Sequence, residues 1–399
     1  RFLILAFGFL ALAASAVTIG LAHLSWRGWS NDLRHFLRGG AQKPEFQPIL
    51  RDVRELVDRI VAEQESDRDG RLWTPERLRQ TLSRHLRGEK VVILANREPY
   101  IHERAEGGGV RVVHPASGLV TALEPVLRAC SGTWIAHGSG TADRETADRR
   151  GRIRVPPGEE SYLLRRVWLS PEEEKGYYYG FANEGLWPLC HQAHTRPTFR
   201  GEDWRHYHAV NRKFADAVCE EVDSDDPIVF VQDYHFALAP RFIRERLPRA
   251  TLITFWHIPW PGQRFGICPW RRELLEGMLG ASIVGFHTQF DCNNFMASVE
   301  GFLEARIDRE HNAVVQHGRS TLVRPYPISL EWPTRWAATA PSAAECRAAV
   351  LQELQLAPDA LLGVGVDRLD YTKGIEERLQ AVERLLERSP GLRGRFTFV

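Results

Sequence analysis

An α/β fold of parallel sheets covered by helices is predicted by three features of this sequence. Short apolar runs recur at residues 91–95, 227–231, 251–256, 282–286 and 361–366, stretches of helical periodicity separate them, and polar clusters follow several of them directly. Runs so short and so uniformly apolar suit strands buried on both faces, as in a parallel sheet between helix layers. At 399 residues the chain exceeds what one core usually supports, so two such units are expected.

Composition narrows the class further. Hydrophobic residues at 43% and charged residues at 26% match a globular chain and disfavour disorder or a coiled coil. A net charge of +1 leaves no electrostatic footprint for nucleic acid, so partners are expected to be small molecules or a membrane. The six cysteines (Cys130, Cys190, Cys219, Cys268, Cys292, Cys346) form no C-x-x-C pair, which argues against a zinc site or a disulfide framework and fits a reducing cytoplasm.

Taken in order, residues 2–24 lack Asp, Glu, Lys and Arg and would make a helix of roughly 35 Å, so residues 1–26 are predicted to cross a membrane. A cleaved signal peptide, suggested by Ala14-Ser15-Ala16, is the rival, but the apolar run outlasts an h-region of about 7 to 15 residues. Arg27, Arg34, Arg38 and Lys43 follow, with Trp26 and Trp29 at the expected interface, which predicts an inner or plasma membrane location with the rest cytoplasmic. Beginning at Arg1, the chain is expected to be a fragment. Residues 27–89 read as a helical juxtamembrane linker: Ile49, Val53, Leu56, Val57 and Ile60 recur at helical spacing, and Thr74-Pro75-Glu76 opens a second helix through Leu78, Leu82 and Leu86. Residues 90–335 form the first Rossmann-like domain, the Pro- and Trp-rich stretch 325–341 is the crossover, and 336–399 begin a second domain that stops after about two βα units.

Ligands of open α/β sheets bind beyond the carboxyl ends of the strands, and the chain places its reactive residues there. Asn96-Arg97 follows the run at 91–95, giving Arg97 the position of an anion ligand, although a lone arginine is more often a solvated charge. Gly107-Gly108-Gly109 and Ser117-Gly118-Leu119, the latter opening an apolar helix, could offer backbone N–H groups to a phosphate; a plain flexible loop explains the first equally well. The block Tyr177-Tyr178-Tyr179-Gly180-Phe181-Ala182-Asn183-Glu184-Gly185-Leu186-Trp187-Pro188 sets aromatic faces beside polar groups, suited to a sugar but also to core packing. Gln232-Asp233-Tyr234-His235 and His257-Ile258-Pro259 follow two further runs, so that several strand ends converge on one cleft. Arg368-Leu369-Asp370-Tyr371-Thr372-Lys373-Gly374 places two cations five residues apart, able to neutralise a diphosphate where no metal does so; an ion-pair network with Asp367, Asp370 and Glu376 is the plainer account.

In order and content, Asn96-Arg97, the Tyr178 to Trp187 block, Gln232-Asp233-Tyr234-His235, His257-Ile258-Pro259, Gly285-Phe286-His287-Thr288 and the Arg368 to Gly374 motif resemble those of the trehalose-6-phosphate synthase family, a resemblance that covers about residues 90–399. The resemblance implies a retaining, metal-independent GT-B glycosyltransferase with no cofactor, UDP-glucose as donor and glucose 6-phosphate as acceptor. It further implies that Arg97, Tyr178, Trp187 and Asp233 hold the acceptor, Arg97 and Tyr178 at its phosphate. Gly118, His257, Arg368 and Lys373 would serve the donor, with Arg368, Lys373, His257 and Asp233 as the catalytic set and Trp187 with Ile258 selecting the anomer. The acceptor hydroxyl would attack from the front face, assisted by the leaving phosphate oxygen. Small-molecule substrates, the membrane through the N-terminal helix and self-association into a homo-oligomer complete the expected partners.

The chain departs from the family at Trp134-Ile135-Ala136-His137-Gly138-Ser139-Gly140, where the resemblance leads one to expect a tryptophan and glycine, so the acceptor wall differs. A further acceptor-phosphate arginine and an acidic donor segment are expected beyond Val399. The rival readings are a related transferase with another phosphorylated acceptor, as in glucosylglycerol-phosphate synthesis, and a non-catalytic membrane sensor of sugar phosphates. Arg368 and Lys373 argue against a sensor, which has no need of leaving-group cations.

Overall fold

The computed structural model describes residues 75–86, 89–115, 117–328, 339–367, 369 and 373–399. Among them the strands are β1 (Val91–Leu94), β2 (Ile101–Arg104), β3 (Val110–Val113), β4 (Thr133–His137), β5 (Arg152–Val155), β6 (Tyr162–Val167), β7 (Ile228–Gln232), β8 (Thr251–Phe255), β9 (Ile283–Phe286), β10 (Arg306–Asp308), β11 (Ala313–Gln316), β12 (Arg319–Pro325), β13 (Leu361–Gly363) and β14 (Phe396–Phe398). Ten of these join in one sheet, ordered β10-β11-β12-β9-β8-β7-β1-β4-β6-β5. From β12 to β6 all neighbours run parallel, and only the edges are antiparallel: β5 on β6, β11 on β12, β10 on β11.

The topology locates the functional edge before any side chain is considered. From β1 the chain steps outward through β4 and β6, returns to lay β7 on the other flank of β1, and steps outward again through β8, β9 and β12. Strand order therefore reverses between β1 and β7, and the loops leaving their carboxyl ends diverge around a crevice.

Alternation along the strands sorts side chains into two cores, one on each face. Val92, Leu94, Ile135, Val229, Val231 and Leu252 enter the larger core, which the helix Gly201–Glu221 covers with Tyr207, Val210, Phe214 and Val218. Val91, Ile93, Trp134 and Ala136 enter the smaller one, closed by Val120 and Leu127 of the helix Gly118–Cys130. Gly132 lets that helix return tightly to the sheet, since a Cβ there would stand 2.3 Å from the Val91 carbonyl oxygen.

The aromatic block folds as a wide π-helix, Lys175–Leu186, a form not anticipated from the sequence. Its glycines explain how so broad a turn packs: a Cβ on Gly176 would lie 2.6 Å from the His206 ring, and one on Gly180 2.5 Å from the Asp203 carboxyl carbon, both on the helix Gly201–Glu221. A separate parallel pair, β13–β14, is joined by the amphipathic helix Ile375–Arg388.

The helix predicted from Thr74 onward is present as Pro75–Leu86, whereas the span expected over 1–26 and the helix over 49–60 lie outside the described residues. The membrane location requires correction. No helix among the described residues is long and apolar enough to cross a membrane. The longest, Gly201–Glu221, carries Asp203, Arg205, Arg212, Lys213, Asp216 and Glu220 along its length and could not enter hydrocarbon.

Candidate functional site

Pairing of Leu94 with Val231 and of Gln232 with Phe255 brings the ends of β1, β7 and β8 to one level, so the residues just beyond them meet. After β1, Asn96 accepts from the Tyr177 hydroxyl at 3.0 Å, and Arg97 is left exposed over a cleft of ≈300 Å³ that Tyr178, His137 and Ser139 also line. Three successive tyrosines of the π-helix thus take three roles. Tyr177 is fully buried, Tyr178 stacks on His235 with centroids 5.4 Å apart and planes 10° apart, and Tyr179 points outward.

Asp233, just after β7, has φ 73° and ψ 172°, a region that side chains other than glycine rarely occupy. The bend is held by its own Oδ1, which accepts from the backbone N–H groups of Tyr234 at 2.9 Å and His257 at 3.2 Å. Burial pushes its carboxyl up to about 7, against the pull of those two donors. His235 Nδ1 lies 4.0 Å from Asp233 Oδ2.

His257, just beyond β8, faces Gln232 with Nε2 2.8 Å from the amide Oε1, so Nε2 carries the proton and Nδ1 remains an acceptor. Burial, reinforced by His287, lowers its pKa to about 4; burial, with His257 and Arg97, lowers that of His235 to about 3. Both rings are neutral at physiological pH. Four buried polar atoms at this edge, Gln232 Nε2, His235 Nε2, Thr254 Oγ1 and Trp256 Nε1, have no hydrogen-bond partner in the structure. Buried polar groups are nearly always satisfied, so this concentration marks unused bonding capacity beside the cleft.

Of the residues predicted from the sequence, the structure therefore brings Arg97, Tyr178, Asp233 and His257 together, with His235 as the link between them. Trp187 stacks on His191 at 3.7 Å and packs with Ile258 against the larger core. Gly118 is exposed at the start of its helix, where Ser117 caps the Val120 N–H. Lys373 is exposed before the helix Ile375–Arg388, its carbonyl accepting from Arg378 at 3.3 Å. Arg368 lies outside the described residues. A larger cleft of ≈680 Å³, between β6 and the helix Gly201–Glu221, contains none of the predicted residues, and its Lys213 is already paired with Glu173 at 2.6 Å.

Sequence reasoning missed Gln232 and His235 as individual participants, although both stand in the quoted motif. It also missed a buried ion network behind the cleft. Arg166 shares an inward register with Tyr162 and Leu164, and a charge in that register was the signal available. No group of His, Cys, Asp and Glu among the described residues is arranged to hold a metal.

A doubly wound sheet with a cationic and aromatic cleft at its switch point defines an α/β protein, and its likeness to solved structures makes the fold GT-B-like. Residues 89–399 match the profile of glycosyltransferase family 20, and the chain belongs to that family. It is 38% identical over 313 residues to the trehalose-6-phosphate synthase of Mycolicibacterium vanbaalenii, covering 75% of this chain and 62% of that protein. The enzyme of the same name from Mycolicibacterium smegmatis is 37% identical over 304 residues, 74% of this chain and 58% of that one. Among solved structures, an alpha,alpha-trehalose-phosphate synthase (UDP-forming) from Burkholderia xenovorans in complex with glucose-6-phosphate superposes with a TM-score of 0.62 at 25% identity, over 77% of this chain and 65% of that one. An E. coli structure bound with UDP-2-fluoro glucose gives 0.62 at 26% identity, over 77% and 63%. The chain thus spans less than two thirds of the length of these relatives.

Proposed function

We propose that this chain carries the acceptor side, and the beginning of the donor side, of a retaining glucosyltransferase that converts UDP-glucose and glucose 6-phosphate into trehalose 6-phosphate and UDP. The observation that carries this reading is the contiguous row Arg97, Tyr178, His235, Asp233 and His257 along the carboxyl edge of β1, β7 and β8. Arg97 supplies the charge for a phosphate, and the face of Tyr178 supports a sugar ring. Asp233, poised near neutrality, accepts from an acceptor hydroxyl, and neutral His257 offers Nδ1 to a hydroxyl of the transferred glucose. Trp187 and Ile258 bound the acceptor and bias its anomer.

In the reaction the anomeric hydroxyl of the acceptor attacks C1 of the donor glucose on the face from which UDP departs. The C1–O bond to the diphosphate breaks, and the hydroxyl proton passes to a diphosphate oxygen. Gly118 serves the donor through backbone groups, while Arg368 and Lys373 take up the charge that develops on the leaving group, a role filled by a metal in other transferases. Within this reading residues 90–335 are the acceptor domain and 336–399 the start of the nucleotide-sugar domain.

The test is a turnover assay of the full-length protein with UDP-glucose against glucose 6-phosphate, glycerol phosphates and free glucose. Glucose 6-phosphate should be the preferred acceptor, and Arg97→Ala should lower kcat/KM for it by about 2 to 3 kcal/mol of transition-state stabilisation while sparing free glucose. Preference for another acceptor, or equal losses with both, would remove the assignment.

A further inference from the structure

Two neighbouring loops contribute to the lining of the Arg97 cleft, residues 96–100 after β1 through Asn96, Arg97 and Glu98, and residues 138–142 after β4 through Ser139. Main-chain bonds hold their ends: His137 N–H donates to the Asn96 carbonyl at 3.2 Å, Gly138 N–H to that of Val167 at 3.3 Å and Ala142 N–H to that of His102 at 2.9 Å. Behind them lies a cluster of four ionisable side chains with almost no access to solvent: Glu98 at 1% exposure, Asp143 and Arg166 at 0% and His102 at 4%. So much buried charge is costly, and replacing such a cluster by apolar residues is often neutral or stabilising, so its presence asks for a role other than stability.

The hydrogen bonds indicate the role. Arg166 reaches from β6 and donates through Nε to Glu98 Oε2 at 2.8 Å. Its Nη2 lies 2.9 Å from Asp143 Oδ1, 3.0 Å from the Tyr100 carbonyl oxygen and 2.7 Å from His102 Nδ1. Glu98 then grips the neighbouring loop, while Asp143 joins the end of its own loop to β2. Glu98 Oε1 accepts from the backbone N–H of Ser139 at 2.9 Å and from its hydroxyl at 3.2 Å. Asp143 accepts from the N–H of Gly140 at 2.7 Å and from the N–H of His102 at 2.8 Å. The guanidinium therefore ties both loops to one rigid strand, and Glu98 ties them to each other. The adjoining backbone is equally constrained, because Trp134 Nε1 donates to the Arg97 carbonyl at 3.1 Å and a Cβ on Gly140 would stand 2.3 Å from the His102 carbonyl oxygen.

We propose that Glu98 and Arg166 are positioning residues for the anion-binding wall of this cleft, setting the Arg97 guanidinium and the Ser139 side of the wall at a fixed separation for a phosphorylated sugar. The inference rests on reading the cleft as the glucose 6-phosphate site. Arg166 lies outside the lining of the cleft and Glu98 borders it with only 1% of its surface exposed, so both act through Arg97 and Ser139. The planar fork of Arg166 makes the geometry specific, since a lysine would keep the charge but reach only part of the set.

The experiment measures glucose 6-phosphate binding to the full-length protein by titration calorimetry, with UDP-glucose binding and thermal unfolding in parallel, for the parent, Glu98→Gln and Arg166→Lys. Glu98→Gln keeps the volume and one acceptor oxygen, and so guards against simple failure to fold. The expected result is a loss of glucose 6-phosphate affinity of about 10- to 100-fold in both variants. UDP-glucose affinity should stay within about twofold of the parent, since these residues reach only the acceptor wall. In steady state the loss should fall on KM for glucose 6-phosphate rather than on kcat. Absence of binding in the parent would overturn the reading of the cleft and this proposal with it. Parent binding with unchanged affinity in Glu98→Gln, or equal losses for both ligands, would overturn the positioning role alone.

Discussion

The tautomer of His257 depends on a single neighbour. Gln232, at 1% exposure, accepts from Nε2 and so presents Nδ1 as the free acceptor, while burial keeps the ring from charging. Gln232→Glu would place a carboxylate against that N–H, raising the imidazole pKa from about 4 toward the neutral range. The expected outcome is a pH dependence of kcat/KM for the donor between about pH 6 and 8 that the parent lacks, with activity falling as the ring charges on acidification. An unchanged profile in a folded variant would show that Nε2 is not set by residue 232. In the proposed function Lys373 belongs to the donor side. Lys373→Ala should lower turnover by about 10² to 10³-fold in the full-length enzyme, and Lys373→Arg should recover only part of that, because a planar guanidinium does not replace a compact ammonium.

Among the elements, the π-helix Lys175–Leu186 does most to shape the cleft, because its wide turn sends Tyr177 into the core and Tyr178 over His235. It stays wide and still close to the helix Gly201–Glu221 only because glycines face that helix. Gly176→Ala would drive a methyl into His206, whose Cβ would stand 2.8 Å away, too close for a rotamer change to relieve. Overpacking of this kind should cost about 1 to 3 kcal/mol by chemical denaturation and should raise KM for the acceptor as Tyr178 is displaced. Near-parental stability would mean that the two helices part without resistance. The sequence showed the aromatic block but not its helix type, because a π-turn arises from packing against a neighbour distant in the chain rather than from local periodicity.

At the scale of the whole molecule, three buried site groups give stability a pH dependence of definite sign. Asp233 has its folded pKa raised to about 7, chiefly by burial, so its stabilisation is present at acid pH and lost as pH rises through that value. His235 and His257 are lowered to about 3 and about 4, so their stabilisation is present above the unfolded histidine pKa of about 6.5 and lost as pH falls toward 4. Between about pH 4.5 and 6.5 the carboxyl and the histidines oppose each other; from about pH 6.5 through 7 only the carboxyl contribution changes, and stability should fall. Tm measured across pH should show this decline in the parent and lose much of it in Asp233→Asn. An identical decline in the variant would assign the pH dependence to other groups.

By itself the sequence determined the class of sheet, the family and the strand ends at which Arg97, Asp233 and His257 stand, because apolar runs and the polar clusters after them are local patterns. Tertiary structure alone decided that strand order reverses between β1 and β7, that His235 bridges Tyr178 to Asp233, and that Arg166, a charge inside an otherwise inward-facing strand register, braces two loops through partners up to 68 residues away in the chain. Each of these depends on which residues far apart in the chain become neighbours, and a local pattern carries no record of that.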